Sequence, residues 1–507
     1  THELGNVGSL FQGPINFLRS ILYFISYRLF GLSPFPYHLF NILFHIGFTW
    51  MIYLIVPFFS RKKYLPLIVA LVAAVHPIAV ESVTWISGGI YAQTGFFLLA
   101  SFYWYLRGAS HNTNRYFIYS WLLYVIALTS SEKVIVFPLI LVVYEFTLGK
   151  MKGSWMRILL FGATSFMWFL LLFQSLTARL VSIQGTANLS EITYILPHVQ
   201  IPLALITYLS LLFWPDKLTL YHTEFRYDQF NVSLYMASAL VFIIFIGWMY
   251  KKNKTIFFWL TFFVISLLVT LTPLGISWLI AERYVYLGSL GIYMSVGILL
   301  YPLFEHKKLR ALGIGIFILC ILALMARTTI RNRDWQTEAS LYASTVRVSP
   351  LDPMSHNNQG DAYLRQKEVD KAITSFRRAL QLNPRYADAY HNLGNAYQEL
   401  QDWPNAREAY RRATALNPSS WKSYQSLSII HFRQNEFAEA LPYMKKASEV
   451  NPENPQIYAN LGLIYVNLKQ KENALKEFNK ALQIDPNNEL AQVGLTLVSQ
   501  IKDTDSK

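Results

Sequence analysis

Apolar residues form long runs through the first two thirds of the chain. Eleven of these runs are long enough, or nearly so, to cross a hydrocarbon layer of about 30 Å. We therefore predict membrane segments at 38–59, 64–80, 91–107, 115–130, 133–149, 156–176, 195–214, 233–250, 255–272, 283–303 and 309–327. Residues 38–330 are then a multi-pass membrane domain, and residues 1–37 are part of an outer loop before it.

The last third of the chain has a strict 34-residue period. Its clearest marks are five prolines: Pro350, Pro384, Pro418, Pro452 and Pro486. Glycine, alanine and aromatic residues recur with the same period, which is the signature of tetratricopeptide repeats. We predict a helical lead-in at 331–352, four repeats at 353–486, and a capping helix and tail at 487–507. The predicted fold class is all-α, a polytopic helical membrane domain followed by an α-solenoid.

Charge divides the chain at the same place. Residues 1–330 carry 22 Lys and Arg against 10 Asp and Glu, whereas residues 331–507 carry 22 against 20. The basic excess lies in loops between apolar runs and not on one helical face, so it does not indicate nucleic-acid binding. The single cysteine, Cys320, excludes an intrachain disulfide.

The basic loops orient the membrane segments. They recur on alternate sides, which predicts that they face the cytoplasm: 61–63, 107–115, 150–157, 251–254 and 306–310. The run 195–214 does not fit this alternation, so we interpret it as re-entrant or interfacial. The loop around Glu81 and everything after residue 330 then share the outer side.

The stretch HPIAVESVTW places His76 and Glu81 where a membrane helix should end. Charged groups at this depth are costly and usually functional. We therefore consider both residues as candidates for catalysis, with a simple boundary charge as the alternative for Glu81.

A second outer group of residues has the chemistry to bind a lipid phosphate. Arg283 can hold a phosphate by two parallel hydrogen bonds, and Glu282 and Tyr284 flank it. Lys133 lies at another predicted outer turn. The alternatives are helix-end snorkelling for Arg283 and a local ion pair with Glu132 for Lys133.

Two further groups of residues are weaker candidates. The sequence leaves two interpretations for Asp216, His222 and Glu224: they line a pocket, or they belong to an exposed loop. Asn358, Asn392 and Asn460 recur on the inner helix of three repeats, where their amides hold a peptide backbone or bond only within the array.

Sequence signatures of soluble enzymes are missing. We find no phosphate-binding glycine loop, nucleophile elbow, HExxH or cysteine-based zinc spacing. No cofactor and no bound metal are therefore expected, although a divalent ion is left open. Any chemistry should take place at the membrane surface.

Six stretches and the repeats after them resemble, in the same order, the transmembrane O-mannosyltransferases with tetratricopeptide repeats. That family is a group within the GT-C superfamily of polyprenyl-phosphate-sugar glycosyltransferases. The stretches are YRLFGLSPFPYHLFNILFH, HPIAVESVTWISGG, SSEKVIVFPLILVVYE, TYLSLLFWPDKLTL, AERYVYLGSLG and RNRDWQTEASLY, followed by the repeats.

The resemblance implies transfer of mannose from a polyprenyl-phosphate donor to Ser or Thr of acceptor proteins, which the repeats recruit. It implies a multi-pass protein in contact with membrane lipids, with its repeats on the periplasmic, extracellular or endoplasmic-reticulum lumenal side. The small number of repeats favours a bacterial cell membrane over the endoplasmic reticulum.

The family usually has an acidic pair in its first outer loop, which is expected to include the catalytic base. HELGNVGSLF resembles the part just after that pair. We therefore expect the catalytic base to lie in a segment missing before Thr1. If the base is missing, the chain as given is expected to be inactive. Glu81 and His76 are then expected to support catalysis. The alternatives are a repeat-containing ligase or polymerase of lipid-linked glycans, and a non-enzymatic membrane-anchored scaffold.

Overall fold

Helices make up the regular structure of the protein. The computed structural model describes residues 17–149, 151–185, 197–223, 225, 228–271 and 280–499, and each regular element in them is an α- or 3-10 helix. The chain separates into two units, one from residues 17–183 and 197–348 and the other from residues 349–499. The predicted all-α class, with apolar helices followed by a helical repeat, is confirmed.

The helices of the first unit are numbered in chain order. They are α1 Phe17–Phe30, α2 Phe35–Ile55, α3 Leu65–Val75, α4 Val80–Thr84, α5 Ile90–His111, α6 Asn114–Ser130, α7 Phe137–Thr147, α8 Met151–Gly185, α9 Pro197–Phe213, α10 Gln229–Lys252, α11 Lys254–Leu267, α12 Ser289–Leu300, α13 Pro302–Glu305, α14 Arg310–Asp334 and α15 Glu338–Val348.

Four stretches of helix in the described residues are long and apolar enough to cross a membrane. They are Phe35–Phe58, Ser154–Phe173, Gln229–Lys252 and Arg310–Asp334. A fifth span results if α3 and the helical residues Pro77–Thr84, which meet at 51°, are counted as one broken segment. Other segments among the eleven predicted are present as shorter apolar helices, such as α9, α11 and α12.

Three boundaries differ from the sequence-based prediction. Within the predicted outer loop 1–37, α1 is helical because its apolar residues recur at helical spacing, and α2 begins at Phe35. The run 195–214, predicted to be re-entrant or interfacial, contains the single helix α9, which ends at Phe213, and its position relative to a membrane stays a prediction. The predicted lead-in 331–352 is divided, because α14 extends to Asp334 and α15 belongs to the first unit.

An interruption of the helix between α3 and α4 creates the site described below. Pro77 disfavours the helical conformation of the residue before it, and His76 is accordingly extended, with φ −70° and ψ 127°. The chain then becomes helical again in a 3-10 turn, Pro77–Ala79. This break gives the buried helix α4 its own direction, with Glu81 in its first turn.

The second unit is an array of paired helices. The pairs are α16 Pro353–Arg365 with α17 Val369–Leu382, α18 Ala387–Glu399 with α19 Trp403–Leu416, α20 Trp421–Arg433 with α21 Phe437–Val450, and α22 Pro455–Asn467 with α23 Lys471–Ile484, followed by α24 Glu489–Ser499. The four helix pairs and the last helix fall within the ranges predicted for the four repeats and the cap.

Close helix approach in the array depends on a glycine and a ring in the same repeat. A Cβ atom on Gly394 would lie 2.7 Å from the ring of the fully buried Tyr410. The third repeat has Ser428 in place of this glycine and Met444 in place of the ring. The smaller and more flexible methionine leaves room for the serine, whose hydroxyl donates to the Ala440 carbonyl over 2.7 Å.

Candidate functional site

Glu81 is fully buried and bound by Arg283. The backbone N–H of Arg283 donates to one carboxylate oxygen of Glu81 over 2.9 Å, and the Arg283 guanidinium donates to the other. Both oxygens therefore accept hydrogen bonds from the same residue. Such an arrangement compensates the high cost of burying a carboxylate.

Lys133 and Arg283 approach one aromatic ring. The Lys133 ammonium nitrogen lies 3.5 Å from the ring centroid of Tyr284, and the Arg283 guanidinium carbon lies 4.9 Å from it. Lys133 also donates to the hydroxyl of Tyr91 over 2.9 Å. We call Glu81, Tyr91, Lys133, Arg283 and Tyr284 the Glu81 cluster. It contains two cations and one carboxylate.

The end of α4 is fixed by Asn41 from α2. The Asn41 side-chain nitrogen donates to the carbonyl oxygens of Val83 and Trp85, each over 3.2 Å. Asn41 can approach because the neighbouring residue is Gly89, where a Cβ atom would overlap the Asn41 amide. These contacts satisfy carbonyl groups at the helix end and hold Glu81 in position.

Glu282, beside Arg283 in the chain, belongs to a second buried group of charges. Arg331 of α14 donates to Glu282 over 3.1 Å and to Asp334 over 3.3 Å. The His222 Nε2 atom lies 3.9 Å from the same Glu282 oxygen. We call His222, Glu282, Arg331 and Asp334 the Glu282 cluster. The two clusters thus meet at consecutive residues of one 3-10 turn, Glu282–Val285.

Burial changes the protonation behaviour of the Glu282 cluster. Desolvation raises the pKa of Glu282 above its usual range, while the positive charge of Arg331 opposes this effect. Burial, with a smaller contribution from Arg331, lowers the pKa of His222 to about 3. His222 is therefore neutral at pH 7.

Helix α14 also holds α4 by contacts near the clusters. The Thr84 hydroxyl donates to the Asn332 side-chain oxygen over 2.9 Å. The rings of Trp85 and Trp335 lie 6.4 Å apart. The residues around Arg331 therefore form part of the wall of the site.

His76 does not join the Glu81 cluster. Its Nδ1 atom accepts from the backbone N–H of Ile78 over 3.2 Å, and its Nε2 atom lies 3.0 Å from the carbonyl oxygen of Leu212. Both ring nitrogens are therefore engaged, with the proton on Nε2. These contacts stabilise the chain where the helix is interrupted. The role of His76 in supporting catalysis stays a prediction.

The predicted pocket residues separate in the structure. His222 enters the Glu282 cluster, whereas the side chain of Asp216 is exposed and its backbone carbonyl accepts from Arg327 over 2.9 Å. Glu224 lies outside the described residues. Exposure therefore favours the loop interpretation for Asp216.

The predicted groove asparagines form hydrogen bonds inside the array. The Asn392 amide donates to Asn357 over 3.0 Å, and Asn357 donates to Asn358 over 3.3 Å. Asn460 accepts from Gln456 over 3.3 Å. Each amide has a second polar group, so these contacts do not exclude a peptide.

Sequence reasoning missed three members of these clusters: Tyr91, Arg331 and Asp334. Tyr91 gave no signal, because a tyrosine at the start of an apolar run is ordinary. Arg331 did give a signal, because it directly follows the predicted membrane domain 38–330, but both Arg331 and Asp334 were assigned to the lead-in. The Arg331 side chain is fully buried. Among the described residues, no group of three His, Cys, Asp or Glu side chains is placed to hold a metal ion.

The fold and the site define a helical membrane protein with buried charged clusters and a carboxyl-terminal array of tetratricopeptide repeats. Sequence comparison supports the array directly. Residues 360–401 match a family described as TPR repeat, and residues 387–420 and 426–489 match families described as tetratricopeptide repeat.

Relatives that match parts of the chain carry one kind of name. The chain is 24% identical over 414 residues to the protein O-mannosyl-transferase TMTC3 of Mus musculus, covering 72% of this chain and 44% of that protein. It is 31% identical over 114 residues to the protein O-mannosyl-transferase Tmtc2 of Drosophila melanogaster, covering 22% and 12%. The resemblance to O-mannosyltransferases with tetratricopeptide repeats is therefore confirmed.

The chain spans less than half the length of these curated relatives. Because the 414-residue alignment exceeds the length of the array, it extends into the first unit. Among solved structures, the chain is similar to the crystal structure of MamA protein, with 25% identity over 29% of this chain and 81% of that one, at a TM-score of 0.27. The relatives above are animal proteins, and the preference for a bacterial membrane stays a prediction.

Proposed function

We propose that this protein transfers mannose from a polyprenyl-phosphate donor to serine or threonine hydroxyls of proteins. The observation that carries the proposal is the placement of Lys133 and Arg283 on the Tyr284 ring. Two cations at one buried place suit a phosphate that gains charge as it leaves. The similarity to protein O-mannosyl-transferases over 72% of the chain supports the reaction class.

Lys133 is the main phosphate ligand in this proposal. Arg283 already shares its charge with Glu81. Lys133 donates to a neutral hydroxyl and lies on a ring, and it forms no ion pair with a carboxylate of the described residues. An incoming phosphate would therefore neutralise Lys133 first and compete with Glu81 for Arg283.

Glu81 positions Arg283 and does not take the proton. In an inverting transfer, the acceptor oxygen attacks the anomeric carbon and the bond from that carbon to the phosphate oxygen breaks. The acceptor's proton passes to a carboxylate base, and the electron pair stays with the phosphate. Because both oxygens of Glu81 accept from Arg283, the base in this proposal is another carboxylate, as the family resemblance implies.

The proposal places the reaction at the outer or lumenal face. The Glu81 cluster includes Tyr91 near the start of α5, whereas the basic residue Arg107 lies near its end, about 24 Å along the axis at 1.5 Å per residue. The rule that cationic loops stay inside supports the assignment of Arg107 to the cytoplasmic end. The repeat array would then recruit acceptor proteins on the outer side.

A transfer assay with the purified protein tests this function. The protein, extended before Thr1 by the first outer loop that the family resemblance implies, is reconstituted with a peptide rich in Ser and Thr. The donor is either polyprenyl-phosphate-mannose or, in a parallel reaction, a pyrophosphate-linked oligosaccharide, with and without a chelator, and glycosylated peptide is measured. Transfer supports the proposal. Folded protein that transfers nothing contradicts it, and consumption of pyrophosphate-linked oligosaccharides in its place indicates a glycan ligase.

Two lysine variants test the phosphate ligand. Lys133→Met should raise the donor KM and lower kcat by about 100-fold, since one charged contact in a water-excluded site is removed. Lys133→Arg should retain part of the activity. Lys217→Met, at an exposed lysine of the loop after α9, is the matched control and should behave like the parent. Equal activity of Lys133→Met and the parent would refute the role of Lys133.

A further inference from the structure

Three arginines lie near the last residues of α5 and the first residues of α6. Their environment differs from that of Arg283 and Arg331. The Arg157 guanidinium carbon lies 3.8 Å from the Phe117 ring centroid, and that of Arg115 lies 5.1 Å from the Tyr116 centroid. Arg107 lies over Tyr103 at 5.8 Å. Within the described part of the chain, none of these three arginines forms an ion pair, in contrast to Arg283 and Arg331.

A crevice between α6 and α8 opens beside Arg157. Its volume is about 210 Å³, whereas one water occupies about 30 Å³ of liquid. Its walls are mostly apolar, with polar groups from only Asn114, Trp121 and Arg157. The residues that line it are Asn114, Phe117, Ile118, Trp121, Arg157, Leu160 and Phe161.

The crevice is bounded along the helices by hydrogen bonds. The Trp121 indole N–H donates to the Thr164 hydroxyl over 2.9 Å, and the Tyr124 and Ser165 hydroxyls bond one turn further on. The outer walls, Ile118 and Leu160, are 56% and 50% exposed. The space is therefore an apolar slot with a cation at its mouth, between two helices of the membrane unit.

We propose that this crevice binds an anionic phospholipid. The phosphate would pair with Arg157 and accept from Asn114, and one acyl chain would lie against Ile118, Trp121 and Leu160. Charge complementarity identifies the headgroup, because these three arginines have aromatic partners and form no ion pair with any described carboxylate. Basic pockets between membrane helices on the cytoplasmic side are known to favour such headgroups. The inference does not depend on the proposed transferase activity.

Fluorescence quenching by brominated lipids tests the site. The protein is placed in nanodiscs containing phosphatidylcholine and a small fraction of either dibrominated phosphatidylglycerol or dibrominated phosphatidylcholine. The difference between the parent and Trp121→Phe isolates the emission of Trp121 among the 13 tryptophans. We expect about five-fold enrichment of phosphatidylglycerol over phosphatidylcholine, as one arginine contact near the surface predicts.

Variants of Arg157 decide between specific and general attraction. Arg157→Gln should abolish the enrichment and Arg157→Lys should keep most of it. Arg310→Gln, an exposed arginine at a loop predicted to face the same side, is the matched control and should leave it unchanged. Equal quenching by the two lipids in the parent would overturn the proposal, as would enrichment that survives Arg157→Gln. Displacement of phosphatidylglycerol by an equal amount of polyprenyl phosphate would assign the crevice to the donor lipid and refute the phospholipid.

Discussion

Glu81 and Arg283 are 202 residues apart in the sequence, and the backbone amide of Arg283 donates to the Glu81 carboxylate over 2.9 Å. The adjacent residue, Glu282, binds Arg331. One short turn is therefore tied to α4 on one side and to α14 on the other. A change at either ion pair should alter the position of the same turn.

The first prediction concerns the Glu81–Arg283 pair. Glu81→Gln should lower the free energy of unfolding by about 3–5 kcal/mol, because it leaves the Arg283 charge buried without its partner. Thermal unfolding in detergent measures the effect. The control is Arg412→Gln, which breaks an exposed pair with Glu408 in the array and should change the melting temperature little. Equal losses of stability in Glu81→Gln and Arg412→Gln would show that burial does not strengthen the Glu81–Arg283 pair.

The second prediction concerns Glu282 and Arg331 as a coupled pair. Arg331→Gln alone should destabilise the protein, since the buried Glu282 side chain then loses the guanidinium that donates to it. Adding Glu282→Gln should recover part of that loss, with an interaction energy of about 1–3 kcal/mol. A double-mutant cycle by thermal unfolding gives this quantity. Strictly additive effects would show that the two side chains do not stabilise each other.

The repeats could be predicted from the sequence because their information is local. Three of the four repeats bury a glycine and a ring within their own helix pair, so a fixed spacing of residues is enough to recognise them. The helix break at Pro77 also has a local cause, the dihedral restriction on the residue before proline, although the predicted segment 64–80 runs through it. Prediction from the sequence succeeded for the repeats because the residues that determine their structure lie within one helix pair.

The site could be predicted only as separate residues. Lys133, Glu81 and Arg283 were each selected for carrying charge near a membrane segment, but the sequence does not say which carboxylate binds which cation. That pairing depends on packing between helices far apart in the chain. Arg331 was missed because charge count assigned it to the soluble half, although its guanidinium is buried within the first unit.

A third prediction uses pH and the buried histidine of the second repeat. His391 lies 2.9 Å from the Ser423 hydroxyl, and burial, with a smaller contribution from Lys422, lowers its pKa to about 4. The unfolded pKa is about 6.5. The neutral form is therefore favoured by folding, so the stabilisation is complete above pH 6.5 and is lost as the pH falls towards 4.

Hydrogen exchange of the α18 amides at several pH values measures this loss. The full effect is at most about 3 kcal/mol, an upper bound because His391 is only partly buried. His391→Gln should remove the pH dependence between 6.5 and 4. A pH profile that is the same in the parent and His391→Gln would refute the assignment.

The last prediction concerns the glycine and ring that pack together in three of the four repeats. Gly394→Ser should destabilise the second repeat by about 1–3 kcal/mol, because the new side chain overlaps the Tyr410 ring. The ring cannot easily move aside, since its hydroxyl donates to Asn395 over 2.7 Å. Hydrogen exchange of α18 and α19 measures the local effect.

The third repeat supplies the compensating change, because it pairs Ser428 with Met444 at the equivalent positions. Gly394→Ser combined with Tyr410→Met should therefore be more stable than Gly394→Ser alone, although each single change destabilises the protein. Ser428→Gly in the third repeat is the converse control, and it should lose stability because it removes the hydroxyl that donates to Ala440. A double variant no more stable than Gly394→Ser would mean that the overlap with the ring is not what limits the size of this residue.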